Sequence, residues 1–266
     1  MGTGRCVVAV LIFSLISKSF ARPIIRTTPE NHRSAGADLI SDGWTLTSED
    51  FLYCDSWRLA IETNNAGIWS RIPARCEEYV KDYVSGDRYQ SDSKVITEYA
   101  LDFAKTVEVA GEGGDAWVFD VDETLLSNVP YYAAHGFGSE TFDEGSFNEW
   151  AIEADAPALP ASLKFYKELQ QLGFTIFLLT GRDESQRNVT EQNLVYAGYS
   201  NWERLILRGT SDAGKLATTY KSEKRKELED EGYTIHGSSG DQWSDLLGFA
   251  VAKRSFKLPN PMYYIA

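Results

Sequence analysis

The run Ala116-Trp117-Val118-Phe119-Asp120-Val121-Asp122-Glu123-Thr124 decides how the rest of the chain is read. Trp117, Val118 and Phe119 are consecutive large apolar residues, the pattern of a strand buried on both faces. Two carboxylates follow at once. Extended backbone places side chains i and i+2 on one side, so Asp120 and Asp122 are expected to project together from the strand's carboxyl end. Open α/β sheets bind their ligands at that end. Neighbouring carboxylates repel, and burying them is costly unless a cation or a shared proton compensates.

Outward from this run, helical and strand patterns alternate. Upstream, Ser91 to Val107 carries apolar residues at helical spacing, with Ser91 or Asp92 placed to cap. Gly111 to Gly114 then breaks the chain. Downstream, Pro160 to Leu172 reads as a helix, with Pro at its start and Gly173 past its end. Phe174 to Leu179 is a second buried strand, ending at Thr180-Gly181-Arg182. A weaker helix (Ser185 to Ala197), a short strand (Leu205 to Leu207) and a charged helix (Lys221 to Glu231, closed by Gly232) follow. A further strand begins at Tyr233 to Ile235 and precedes Gly240-Asp241-Gln242-Trp243-Ser244-Asp245. Phe256 to Leu258 suits a last strand before a Pro-rich end. This alternation predicts an α/β fold with a doubly wound parallel sheet over 111–266. Residues 125–160 hold aromatics amid glycines and acids without a clear period.

Ahead of this core, residues 1–21 hold Arg5, the apolar run Cys6 to Ile16, and small residues at Ser19 and Ala21, the pattern of a cleaved secretory signal. The run is short for a bilayer span. Residues 22–50 read as a flexible arm. Residues 51–110 read as a mainly helical extension, interrupted at Asn64-Asn65 and Pro73. Cleavage of the signal would leave Cys54 and Cys76, an even pair in an oxidising compartment. A disulfide there would contribute about 3 kcal/mol; the alternative is two buried thiols. Without a His cluster or a Cys-x-x-Cys, zinc is not expected.

The 266 residues carry 39 acidic against 26 basic side chains, a formal charge of −13. That field argues against nucleic acid or an anionic membrane surface as partners, and an anionic substrate needs a local cation.

Asp120-x-Asp122-x-Thr124 after an apolar strand resembles the first motif of the haloacid-dehalogenase-like phosphohydrolases. More narrowly, the chain resembles the plant acid phosphatase and vegetative storage protein group, also through Cys54-x-Ser56-Trp57-Arg58 and Asn64-Asn65. The resemblance implies Asp120 as phosphate-accepting nucleophile and Asp122 as general acid/base. It further implies Thr180 and Gly181 as donors to phosphate oxygens, and Lys221 as the cation that neutralises phosphate and nucleophile. Taken singly, a Thr at a strand end such as Thr180 is more often a helix cap, and Lys215, Lys221, Lys224 and Arg225 read as a solvated helix face; Lys215 is the second choice for the motif lysine. Asp241 and Asp245, four apart, match the fourth motif and are expected to share a helical face. A hard Mg²⁺ ion suits Asp120, Asp241 and the Asp122 carbonyl as ligands, with Asp245 ligating or orienting a bound water.

Small phosphomonoesters are the implied substrates, hydrolysed through an aspartyl-phosphate. The group also implies a second role, protein storage with weak or lost catalysis, and the intermediate permits transfer to an alcohol. No Arg-His-Gly occurs, which argues against a histidine phosphatase. The resemblance also implies that residues 125–160 form a small flap, read with one short helix, in which His135 faces substrate or solvent. Glu123 is expected to point away from Asp120 and Asp122 in a structural role. Asn188-Val189-Thr190 is a glycosylation sequon lying in an expected helix. Extracellular space, cell wall or vacuole are the expected destinations. A homodimer is left open.

Overall fold

The computed structural model describes residues 46–266. The expected signal (1–21), most of the expected arm and His32 lie outside the described residues. Three helices come first: α1 (Ser48–Glu62), α2 (Glu77–Ser85) and α3 (Asp87–Ala104). Then follow β1 (Asp115–Phe119), α4 (Val129–Ala133), α5 (Glu144–Glu153), α6 (Pro160–Gln171) and β2 (Thr175–Asp183). The chain continues through α7 (Arg187–Tyr196), β3 (Arg204–Arg208), α8 (Ala217–Asp230), β4 (Thr234–Gly240), α9 (Trp243–Leu246) and β5 (Arg254–Lys257).

The five strands form one sheet in the order β3-β2-β1-β4-β5, and each neighbouring pair is parallel. The chain winds outward from β1 through β2 and β3, then crosses back to β4 and β5. This is the expected doubly wound α/β arrangement, with its switch point between β1 and β4. β1 alternates as a strand must. Trp117 and Phe119 join Phe165 and Leu169 of α6, while Ala116 and Val118 join Tyr220 and Leu228 of α8. Trp117 packs so tightly against β4 that a Cβ at Gly237 would lie 2.4 Å from its indole. Only glycine leaves room for that ring.

A second apolar cluster surrounds Cys54 and Cys76, which form a disulfide with Cα atoms 5.4 Å apart. It draws Tyr79, Val80 and Tyr83 of α2 onto Tyr131, Tyr132 and Met262. The helical N-terminal stretch therefore packs against the flap and the final residues of the chain.

Several boundaries differ from expectation. α1 begins inside the expected arm, because the Thr47 hydroxyl accepts from the Asp50 N–H and caps it. α3 spans Asp87–Ala104, so Ser91 and Asp92 lie within it and Gly86 takes the cap position. The flap holds two α-helices, α4 and α5. The second is capped by Asp143, whose carboxylate accepts from Ser146 N. β2 continues past Thr180 to Asp183 through an irregularity in its pairing with β3. α8 starts one turn earlier than Lys221.

Candidate active site

Asp120 immediately follows β1, and its N–H donates to Ser239 O of β4 at 3.0 Å. The carboxyl ends of β1 and β4 thus meet at this residue. Lys221, in the second turn of α8, reaches Asp120 Oδ1 at 2.5 Å and also contacts Asp245 Oδ1. Asp245 is on α9, whereas Asp241 sits in the turn ahead of it. The expected shared helical face is therefore replaced by a β4-to-α9 turn. The turn folds Asp245 back, its Oδ2 accepting from Gln242 N at 2.9 Å. A Cβ at Gly240 would lie 2.4 Å from Asp245, so this turn needs glycine. Oxygen atoms of Asp120, Asp241 and Asp245 all lie within 4.8 Å of one another, and all three residues are buried.

These acids are strained electrostatically. Burial pushes the Asp120 carboxyl well above its usual range, and the charges of Asp245 and Asp241 add to this against the opposing Lys221. Asp241 is pushed up to about 7, by burial first and then by Asp245 and Glu123. Burial alone would lower Lys221, but Asp120 and Asp245 outweigh it and raise its pKa. Three buried carboxylates around one ammonium leave negative charge uncompensated. Hard oxygen donors so arranged fit a divalent cation such as Mg²⁺.

Asp122 lines the same cavity but has different company. Arg182 Nε donates to its Oδ2 at 3.0 Å, Arg182 Nη2 to its Oδ1 at 2.7 Å, and Asn128 Nδ2 to Oδ1 at 2.8 Å. Burial raises the Asp122 carboxyl, yet the Arg182 charge and these hydrogen bonds outweigh it and hold it below its usual range. In the protein alone the two acids are therefore biased opposite to the expected mechanism, in which Asp120 is ionised and Asp122 protonated.

Thr180 is fully buried and its hydroxyl accepts from Arg182 N at 3.1 Å. Gly181 and Arg182, not Thr180, line the cavity. Lys215 pairs with Asp212 and Glu223 and is not among the lining residues. Arg225 leaves the supposed solvated face. It is buried and donates to the carbonyls of Asp245, Leu247 and Ala250, holding α9, which carries Asp245, and the loop that follows it.

Asn128, Arg182, Asn260 and Tyr263 were not singled out by sequence. Asn260 Nδ2 donates to Asp241 Oδ2 at 2.7 Å. Glu123 is buried at φ 53°, accepting from Tyr263 Oη and Asn128 N at 2.5 Å each. It ties the first motif to the chain's end. Arg182 was legible in the quoted Thr-Gly-Arg, whereas Asn260 left no local signal. His135 lines the cavity, stacked on Tyr131 at 4.1 Å with its Nδ1 2.7 Å from Tyr131 O. His236 lies at the opposite end of the sheet, its Nε2 2.7 Å from Asp115 Oδ1. The cavity measures about 410 Å³. Its flap side is aromatic and acidic, and residues Met262 to Ile265 form another wall.

A parallel sheet that gathers acids around a lysine at its switch point defines a haloacid-dehalogenase-like fold. The class C acid phosphatase from Bacillus anthracis shares it, with a TM-score of 0.61 and 23% identity over 71% of this chain and 85% of that one. Residues 41–266 match the family described as HAD superfamily, subfamily IIIB (Acid phosphatase), and the chain belongs to that family. Acid phosphatase 1 of Solanum lycopersicum is 48% identical over 97% of this chain and 95% of its own length. The stem 28 kDa glycoprotein of Glycine max is 47% identical, covering 80% of this chain and 84% of its own. Vegetative storage protein 2 of Arabidopsis thaliana is 40% identical over 82% of each.

Proposed function

We propose that this protein is a magnesium-dependent acid phosphatase that hydrolyses phosphate monoesters through an aspartyl-phosphate. One observation carries the reading: the buried cluster of Asp120, Asp241 and Asp245 around Lys221, in a cavity that Asp122 also lines.

Asp120, Asp241 and Asp245, with the Asp122 carbonyl, are the residues to hold the ion. The bound ion would supply charge neutralisation and polarise a phosphoryl oxygen. A nearby positive charge favours the ionised carboxyl, which is the state Asp120 needs as nucleophile. Lys221 lies against Asp120 and screens it from an approaching phosphoryl group. Asp120 Oδ attacks phosphorus as the ester oxygen leaves. Asp122 gives that oxygen a proton, then takes one from the water that cleaves the acyl phosphate. An anionic substrate at Gly181 and Arg182 competes for the guanidinium, which loosens its hold on Asp122 and lets that carboxyl accept a proton. Thr180 supports the Gly181–Arg182 backbone.

Protein storage is the second reading, favoured by relatives named as storage proteins. Passage through the secretory pathway to cell wall or vacuole is supported by the disulfide and by relatives named glycoproteins. The test is hydrolysis of p-nitrophenyl phosphate at mildly acid pH. EDTA should abolish turnover, and Asp120→Asn should abolish it while leaving the circular dichroism spectrum intact. Full turnover by the variant would remove the mechanism.

A further inference from the structure

Three cations line the active-site cavity: Arg182, Arg208 and Lys221. Two are committed. Lys221 is paired with Asp120 and Asp245, and Arg182 with Asp122. Arg208, at the carboxyl end of β3, is different. Its Nη1 donates to the carbonyls of Asp212 and Lys215 at 3.2 and 3.1 Å. Its guanidinium carbon lies 4.4 Å from the centre of the Tyr220 ring. Among the described residues no carboxylate pairs with it, and Nε and Nη2 make no hydrogen bond. The nearby acids are used elsewhere: Asp212 by Lys215 and Gly209 N, and Asp183 as a backbone cap.

Carbonyls and an aromatic face orient a guanidinium without cancelling its charge. Arg208 is thus a fixed, half-buried cation with uncommitted donors on the β3 and α8 side of the cavity. A carboxylate or phosphate matches such a fork. The sequence as a whole carries −13, and the other two cations of the cavity already face carboxylates, so Arg208 is the cation left for a second anion. Resting on the phosphatase reading, we propose that Arg208 is a specificity residue that selects phosphomonoesters bearing a second anionic group. Arg208 binds that group while the scissile phosphate lies at Asp120. It takes no part in the chemistry and acts on substrate affinity.

The test compares three probes of similar carbon skeleton: glycerol 3-phosphate, 3-phosphoglycerate and glycerol 1,3-bisphosphate. The last two separate a carboxylate from a phosphate as the second anion. Affinity is read by calorimetry on the Asp120→Asn protein, which does not depend on turnover, and kcat and KM on the otherwise native enzyme. The wild-type Arg208 background should bind at least one of the two probes with a second anionic group about tenfold more tightly than glycerol 3-phosphate, the scale of one charge-assisted hydrogen bond. Arg208→Gln should erase that ratio through KM, with kcat and p-nitrophenyl phosphate hydrolysis retained. Arg208→Lys, which keeps the charge without the fork, should restore part of it. Equal affinity for all three probes, or equal losses for all three on substitution, overturns the proposal. A preserved affinity ratio without turnover would instead reject the phosphatase reading and leave the Arg208 subsite standing.

Discussion

Arg182 grips Asp122 through two nitrogens, Nε to Oδ2 at 3.0 Å and Nη2 to Oδ1 at 2.7 Å. The pair joins the end of β2 to the loop after β1 and sets the charge state of the expected general acid. Its folded-state pKa is held low, so its stabilisation is present above the ordinary carboxylate range and lost as pH falls through the depressed value. Arg182→Gln leaves a partly buried carboxylate without its cation, at a cost of about 2 kcal/mol near neutral pH. As the medium is acidified to about pH 3, below the ordinary carboxylate range, the unfolded chain takes up its proton first and the deficit should shrink. Urea unfolding at the two pH values measures this. Equal deficits would mean that Arg182 contributes packing rather than charge.

Glu123 predicts the opposite slope. Burial pushes its carboxyl up to about 8, with Asp122 adding to the shift and the bonds from Tyr263 and Asn128 opposing it. The native state then holds a proton that the unfolded chain gives up. This stabilisation is full below about pH 4 and is lost as pH climbs through about 8. Glu123→Gln fixes the neutral form. Its melting temperature should gain on the wild type as pH rises across that window. Parallel melting profiles would reject a protonated Glu123.

Cation binding should release protons. Asp241, pushed up to about 7, must ionise before it can serve as a ligand. Magnesium affinity should therefore fall as the medium is acidified below that value. Calorimetry in two buffers of different ionisation enthalpy reads the proton directly. Asn260→Leu removes one donor to Asp241 and should weaken binding about tenfold. Unaltered affinity in that variant would separate Asn260 from the ion site.

The sequon is coupled to the site. Asn188 is exposed on α7, but Thr190 is buried and its Oγ1 accepts from Arg182 Nη1 at 3.2 Å. Protein from a secretory host should carry a glycan that Asn188→Gln removes without loss of activity. Thr190→Ala should remove the glycan and also cost about 1 kcal/mol through the lost hydrogen bond. Identical masses for wild type and Asn188→Gln would show that this asparagine is not used.

Much of the fold was legible because burial on both faces leaves a local mark. Trp117-Val118-Phe119 and Phe174 to Leu179 read as interior strands, and alternation with helices argued for their parallel pairing. Asp120, Asp122, Lys221, Asp241 and Asp245 were legible because each sits within a few residues of a strand end or helix. The flap was less so. α4 and α5 are short, and α5 begins at an Asp143 cap within an aperiodic stretch.

Sequence by itself determined the parallel α/β class, the family motifs and the cysteine pair, since each is written in neighbouring residues. Only the tertiary structure decided what those residues meet. It gave Asp122 to Arg182, 60 positions away, and Lys221 to Asp120, 101 positions away. It set Asn260 on Asp241 and left Arg208 without a carboxylate partner among the described residues. Charge state depends on distance and burial, and neither exists until the sheet has brought distant segments together.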